Sequence, residues 1–207
     1  QDGAKVLGNN KDGIDFSLED DYYGDTRFHI PFIAWYQVMN ASLALTTMEV
    51  LKDRIPVTME QLQAGIANTR WQGRMETILP GVIVDGAHNE DGVRRFVETA
   101  ERFQKEYPLT LLFSAVNDKD YQDMIHTICS RIKFRKVVTT EVGGYREVPS
   151  AELAEIFCKE GCKDVGNSDN IEEAFHMAHE AKGEDGMLFC VGSLYLVGEI
   201  KTLLLKK

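Results

Sequence analysis

From Val82 onward, short apolar runs alternate with amphipathic stretches of about ten to fifteen residues, and few folds accept that rhythm. Strands are expected at Val82–Val84, Thr110–Phe113, Lys136–Thr139 and Met187–Val191, with a weak one near Asp164 and Val165. Helices are expected at Asp91–Phe103, Asp120–Arg131, Ser150–Lys159, Ile171–Lys182 and Ser193–Leu205. Strands separated by whole helices lie parallel and are joined by right-handed crossovers. The expected class is therefore α/β, with a mostly parallel sheet flanked by helices.

One stretch stands out, Val82-Ile83-Val84-Asp85-Gly86-Ala87-His88-Asn89. A buried strand stops at a carboxylate and a glycine, an imidazole and an amide follow, and a helical pattern begins. In a parallel sheet this is the carboxyl edge, where ligands sit outside the strand ends. Helix N-termini there offer N–H donors to anions. The plainer account is a tight turn and a capped helix, with Asp85 and Asn89 bonding backbone.

The residues before this region follow a different pattern. Lys5–Leu7, Ile14–Leu18 and Arg27–Ile33 read as short strands separated by Gly8-Asn9-Asn10, Asp12-Gly13 and Glu19–Asp25, a small antiparallel piece. A helix is expected over Trp35–Leu51, with Val38, Leu43, Leu45, Met48 and Leu51 on its apolar face. A second, Met59–Asn68, is capped by Thr58 with Gln61 at the third position. The change of pattern places a domain boundary near residue 69, giving 1–69 and 70–207.

A net charge of −10 and a pI near 5.0 argue against nucleic acid as a partner, because phosphate contacts need a basic face. The four cysteines lack C-x-x-C spacing and read as reduced, packed thiols of a cytoplasmic protein. The apolar run Met187–Val197 is too short to cross a bilayer, and no export signal opens the chain. Gln1 at the start reads as a trimmed terminus. His176 and His179 lie three apart on a helix but lack a third ligand, so no metal site is expected. Phe96, Phe103, Phe113 and Phe134 are assigned to the core, and Arg94-Arg95 to a solvated face beside Glu98 and Glu101. Neither a P-loop nor a G-x-G-x-x-G turn is present.

Four motifs in order, Trp71-x-Gly73-Arg74-x-Glu76, Asp85-Gly86-Ala87-His88-Asn89, Asp118-Lys119-Asp120 and Gly192-Ser193-Leu194-Tyr195-Leu196-Val197-Gly198-Glu199, resemble the carboxy-terminal part of the folylpolyglutamate synthase/dihydrofolate synthase family, within the Mur ligase superfamily. Gln37-Val38-x-Asn40-Ala41 resembles the signature that ends the family's central ATPase domain. Ala34 and Tyr36 depart from that signature, which carries glycine and histidine in their places. The resemblance implies a Rossmann-like domain over 70–207, preceded by the tail of the central domain without its P-loop. It implies an enzyme that uses ATP and Mg2+, held mainly by the missing upstream domain, to add glutamate to folate or dihydropteroate through an acyl phosphate. It also implies little turnover by this piece alone.

Carried over residue by residue, the resemblance assigns Arg74 to the ATP phosphates, Asp85 to the ribose and Asn40 to the adenine. It places His88 at the reacting centre, as a base, a carboxylate ligand or an orienter of Asp85, and Ser193 and Tyr195 in the glutamate pocket. Arg74 could instead pair with Glu76 at the surface, Ser193 could be a simple N-cap, and Lys119 a solvated turn charge. Gly143-Gly144-Tyr145-Arg146 is a loop without an assigned role, in which Arg146 is a candidate to face substrate or a partner. A peptidoglycan-precursor ligase is disfavoured, because those enzymes usually carry two acidic residues where Asp85-Gly86 stands. A non-catalytic α/β binding module is the other alternative.

Overall fold

The computed structural model describes residues 3–10, 13–144 and 146–205. Asp12 of the expected turn and Tyr145 of the unassigned loop lie outside the described residues. The chain divides into two compact units, Gln1–Trp71 and Gln72–Lys207.

The first unit holds a three-stranded antiparallel sheet, β1 (Ala4–Asn10), β2 (Gly13–Leu18) and β3 (Phe28–Ile30), in that order. Gly8-Asn9-Asn10, expected as a turn, instead continues β1: Asn9 pairs with Ile14 and Asn10 with Gly13. A register shift between Val6 and Gly8 absorbs the extra residue. The expected strand over Arg27–Ile33 shrinks to three residues ending before Pro31, which has no N–H for a ladder.

Two helices complete the unit, α1 (Tyr36–Val50) and α2 (Met59–Ala67). Thr58 and Gln61 form the expected reciprocal capping box on α2. On α1 the buried stripe is Val38, Ala41 and Leu45, at i, i+3 and i+7. Leu43, expected on that stripe, falls on the opposite side and is 70% exposed. Phe16, Phe28, Val38 and Leu45 fill the core, and the Tyr23 hydroxyl donates to the Leu45 carbonyl at 2.6 Å.

The second unit is built on a six-stranded sheet. Its strands are β4 (Glu76–Leu79), β5 (Val82–Asp85), β6 (Leu109–Phe113), β7 (Phe134–Thr139), β8 (Val165–Asn167) and β9 (Met187–Val191). They lie in the order β4-β5-β9-β6-β7-β8. All neighbours run parallel except the β4–β5 pair. The helices are α3 (Glu90–Phe103), α4 (Tyr121–Arg131), α5 (Ser150–Lys159), α6 (Ile171–Lys182) and α7 (Leu194–Leu205).

Helix α4 packs against both α3 and α5, while α6 packs against α7. One face of the sheet buries Val82, Val84, Leu112, Leu188 and Cys190 under Ala174, Phe175 and Ala178 of α6 and Leu196, Val197 and Ile200 of α7. Strand alternation sends Phe189 and Phe113 to the other face. There Phe189 meets Phe96 of α3 at 5.5 Å and Phe103 at 6.0 Å between ring centres, and Phe113 meets Phe157 of α5 at 5.3 Å. Of the four phenylalanines assigned to the core, Phe96 and Phe113 are fully buried, whereas Phe103 and Phe134 are half-buried.

The connections explain where a ligand fits. Rightward steps β5→β6→β7→β8 carry α3, α4 and α5 over one face, and the return step to β9 carries α6 over the other, as right-handed crossovers require. The progression across the sheet therefore reverses at β9, which makes the carboxyl ends of β5, β9 and β6 the topological switch point where α/β sheets take ligands. Asp85 and Phe113 both register with Val191, so the three strand ends are level.

Among the described side chains, Arg94 pairs with Asp91 and Arg95 with Glu98 at i, i+3, while Glu101 pairs with Arg131. The four cysteines are free, yet Cys129 of α4 and Cys162 after α5 bring their sulfur atoms within 3.6 Å. No helix among the described residues is long and apolar enough to cross a membrane.

Phe189 joins the central strand to α3 through two aromatic contacts. Phe189→Ala is expected to lower stability by about 3–5 kcal/mol, read as a reduced urea midpoint with an unchanged slope.

Candidate active site

The edge begins with Asp85, the last residue of β5 and only 3% exposed. Its Oδ2 accepts the Met75 N–H and its Oδ1 the Ala87 N–H, both at 2.8 Å. Met75 has φ +47, a left-handed conformation unfavourable for a residue with a Cβ. The Asp85 carboxylate thus holds a strained turn against the strand end. The Gly86 N–H donates to the Gly73 carbonyl at 2.8 Å, and the Gly73 N–H to Glu76 Oε2 at 2.8 Å. Lys201 of α7 clamps Glu76 at 2.8 Å.

Arg74 sits in the middle of this clasp. Because β4 runs antiparallel to β5, the residue preceding β4 lies at the carboxyl edge of its neighbour. The expected competitor for the guanidinium, Glu76, is occupied by Gly73 and Lys201. Arg74 is half-buried, and its guanidinium makes no hydrogen bond or salt bridge among the described residues; its charge acts on the Asp85 carboxylate. A planar donor fork held this way suits a phosphate or carboxylate.

Burial pushes the Asp85 carboxyl up to about 6, against the pull of the two backbone N–H groups and of Arg74 and His88. With both oxygens engaged at 3% exposure, Asp85 is first a brace for Met75 and Ala87 rather than an open ribose acceptor. His88 Nδ1 lies 2.6 Å from the Gly86 carbonyl. A carbonyl only accepts, so Nδ1 carries the proton and neutral His88 presents Nε2 as a lone pair. Asn89 caps α3, accepting the Gly92 N–H at 2.9 Å.

The second wall comes from β9. Gly192 has φ +110, and a Cβ there would lie 2.0 Å from the Ser114 carbonyl oxygen, so glycine is required for β9 and β6 to end side by side. A Cβ on Gly86 would meet Leu194 Cδ2 at 2.2 Å, which brings the start of α7 against the end of β5. Ser193 is buried, and its Oγ accepts the Tyr195 N–H at 3.1 Å in an N-cap arrangement. The capping role of Ser193 is thus real, and it leaves the hydroxyl proton available.

The structure also joins residues that the sequence kept apart. Arg146 Nη1 bonds Asp118 Oδ2 at 3.0 Å and Nη2 bonds the Tyr195 hydroxyl at 3.1 Å, linking the loops after β6 and β7 to the first turn of α7. Lys119 is half-buried in the same loop as Asp118, and Asp120 caps α4. Ser114, at the end of β6, holds a buried hydroxyl without a hydrogen-bond partner among the described groups. No local pattern marks Arg146 or Ser114, because their significance lies in contacts across the sheet edge.

Asn40 lies in the other unit, on the exposed side of α1, where its Nδ2 donates to Oε1 of buried Gln37 at 2.8 Å. His179 packs its ring near Phe175, and among the described residues no group of three His, Cys, Asp or Glu could hold a metal ion. The donor chemistry of Arg74 fits a nucleotide phosphate.

These features define an α/β domain whose donor groups gather at the switch point of a mostly parallel sheet. The chain belongs to the Mur ligase family, of which the glutamate ligase domain model matches residues 73–194. The dihydrofolate synthase/folylpolyglutamate synthase of Bacillus subtilis is 30% identical over 194 residues, covering 90% of this chain and 43% of that protein. A Mycobacterium tuberculosis folylpolyglutamate synthase, crystallised with ADP and AMPPCP, superimposes with a TM-score of 0.77 at 24% identity over 97% of this chain and 48% of its own. The folylpolyglutamate synthase of Thermotoga maritima gives a TM-score of 0.77 at 25% identity, over 98% and 46% respectively. The chain therefore spans about half the length of the relatives it matches.

The raised Asp85 value sets a pH dependence. The fold favours the protonated carboxyl, so this contribution is complete below about pH 4 and is lost as pH rises through about 6. Asp85→Asn should flatten that part of the stability profile relative to the parent chain. It should also cost about 1–3 kcal/mol, because an amide turns an N–H toward one of the two backbone donors. Urea titrations of both chains from acid to neutral pH measure each effect.

Proposed function

We propose that this chain is the carboxy-terminal part of an ATP-dependent ligase that adds glutamate to folate or dihydropteroate. Residues 70–207 are the ligase domain and 1–69 the tail of a central ATPase domain. The observation that carries this reading is Arg74: a half-buried guanidinium without a hydrogen bond or ion pair among the described residues, fixed at the strand edge beside Asp85. A folylpolyglutamate synthase of the same fold was crystallised with ADP and AMPPCP, which supports a nucleotide as the ligand.

ATP supplies the phosphoryl group that activates a substrate carboxylate as an acyl phosphate; Arg74 would hold its phosphates. Mg2+ is assigned to the upstream domain. Within this chain, Arg74 offsets negative charge on the phosphoryl oxygens and on the tetrahedral centre that forms when glutamate nitrogen attacks, a centre that collapses to the amide as its C–O bond to phosphate breaks and inorganic phosphate leaves. His88 is the base: with Nδ1 bonded to Gly86, its Nε2 takes a proton from the attacking amine. The Ser193 hydroxyl, already accepting from Tyr195 N–H, donates its proton to a glutamate carboxylate beside the N-terminus of α7. Asp85 serves by holding the Met75 and Ala87 turns in register, with the ribose reached only through a remaining lone pair.

The test joins this chain to the amino-terminal half of the Bacillus subtilis relative and follows ADP release and product mass. Release should depend on glutamate and yield a product one glutamyl residue heavier. Arg74→Ala should lower kcat by about 10²–10³-fold and His88→Ala by about 10²-fold or more, each without loss of thermal stability. A folded fusion that releases ADP equally well without glutamate would sink the reading.

A further inference from the structure

Arg146 follows β7 in a loop that is unusually well tied down. Its carbonyl accepts the Asn117 N–H at 2.8 Å, Val148 N–H reaches the Ala115 carbonyl, and Glu147 bridges Val116 in antiparallel fashion. The Asp118 carboxylate then orients the guanidinium at 3.0 Å. Backbone and side chain are both fixed before the guanidinium reaches Tyr195 at 3.1 Å.

That hydrogen bond has a direction. A guanidinium only donates, so the Tyr195 oxygen accepts and its own proton must point elsewhere. Tyr195 is 57% exposed on the first turn of α7, next to the N-capping Ser193. A phenol donor, a neighbouring cation and a helix N-terminus together favour an anionic acceptor. The chain carries a net charge of −10, yet Arg74, Lys119 and Arg146 all lie in loops at this carboxyl edge.

We infer that Arg146 is the positioning residue for recognition of the acidic amino acid: anchored by Asp118, it sets the Tyr195 hydroxyl to donate to a substrate carboxylate. Its role is to separate glutamate from neutral amino acids of the same shape, through Tyr195. This rests on the amino-acid pocket proposed above.

The test titrates the 207-residue chain with L-glutamate and L-glutamine, following backbone amide NMR shifts. The parent chain should bind glutamate about tenfold or more tighter than glutamine. Arg146→Ala and Tyr195→Phe should each remove that preference by weakening glutamate alone, the double variant being no weaker than either. Arg146→Lys should recover part of it, and shifts of β6, β7 and α7 away from the loop should stay in place. Glutamate preference intact in Arg146→Ala, equal loss of both ligands, or additive losses in the double variant would overturn the inference. A parent chain that does not saturate with glutamate would instead overturn the pocket itself, and this inference with it.

Discussion

The site depends on the buried carboxylate of Asp85. It accepts two backbone N–H groups, one from its own turn and one from Met75, ten residues earlier in the chain. The first bond shapes the turn that presents His88. The second holds Met75 left-handed, so that Arg74 lies at the strand end rather than along β4. Desolvation raises the cost of ionising this group, and charge-assisted bonds to the two amides offset part of it. One side chain thereby fixes the two residues that the proposed chemistry relies on most.

The second unit was legible wherever local signals were enough. The alternation of apolar runs with amphipathic stretches places every helix from α3 to α7 within about two residues, the usual spread for helix ends. Sheet order was not legible, because strand pairing is nonlocal: nothing in Met187–Val191 says that it enters between β5 and β6. The same reason hides the reversed direction of β4. Leu43 misled because α1 is apolar on more than one side, so its buried stripe is chosen by packing rather than by pattern. Gly8-Asn9-Asn10 misled because turn-forming residues also serve in a bulged strand.

Site residues divided along the same line. His88, Asn89 and Ser193 sit where a strand gives way to a helix, a junction visible in sequence. Arg146 and Ser114 gain meaning only when adjacent strand ends are brought level. Cys129 and Cys162 became neighbours through the packing of α4 on α5, with no spacing rule to announce it. Asp85 was visible as a carboxylate at a strand end that could bond backbone, but its burial and the reach of one of its bonds back to Met75 were not.

The position of β9 also bears on how the domain is made. β5 and β6 share no ladder with each other; each bonds to β9, the last strand in the chain. Until residues 187–191 leave the ribosome, the sheet exists only as two separate parts, β4–β5 and β6–β7–β8. Folding thus closes late, by inserting a strand between elements already synthesised. A chain interrupted before that strand lacks both the central ladder and the first turn of α7, so unfinished synthesis leaves the carboxyl edge unassembled.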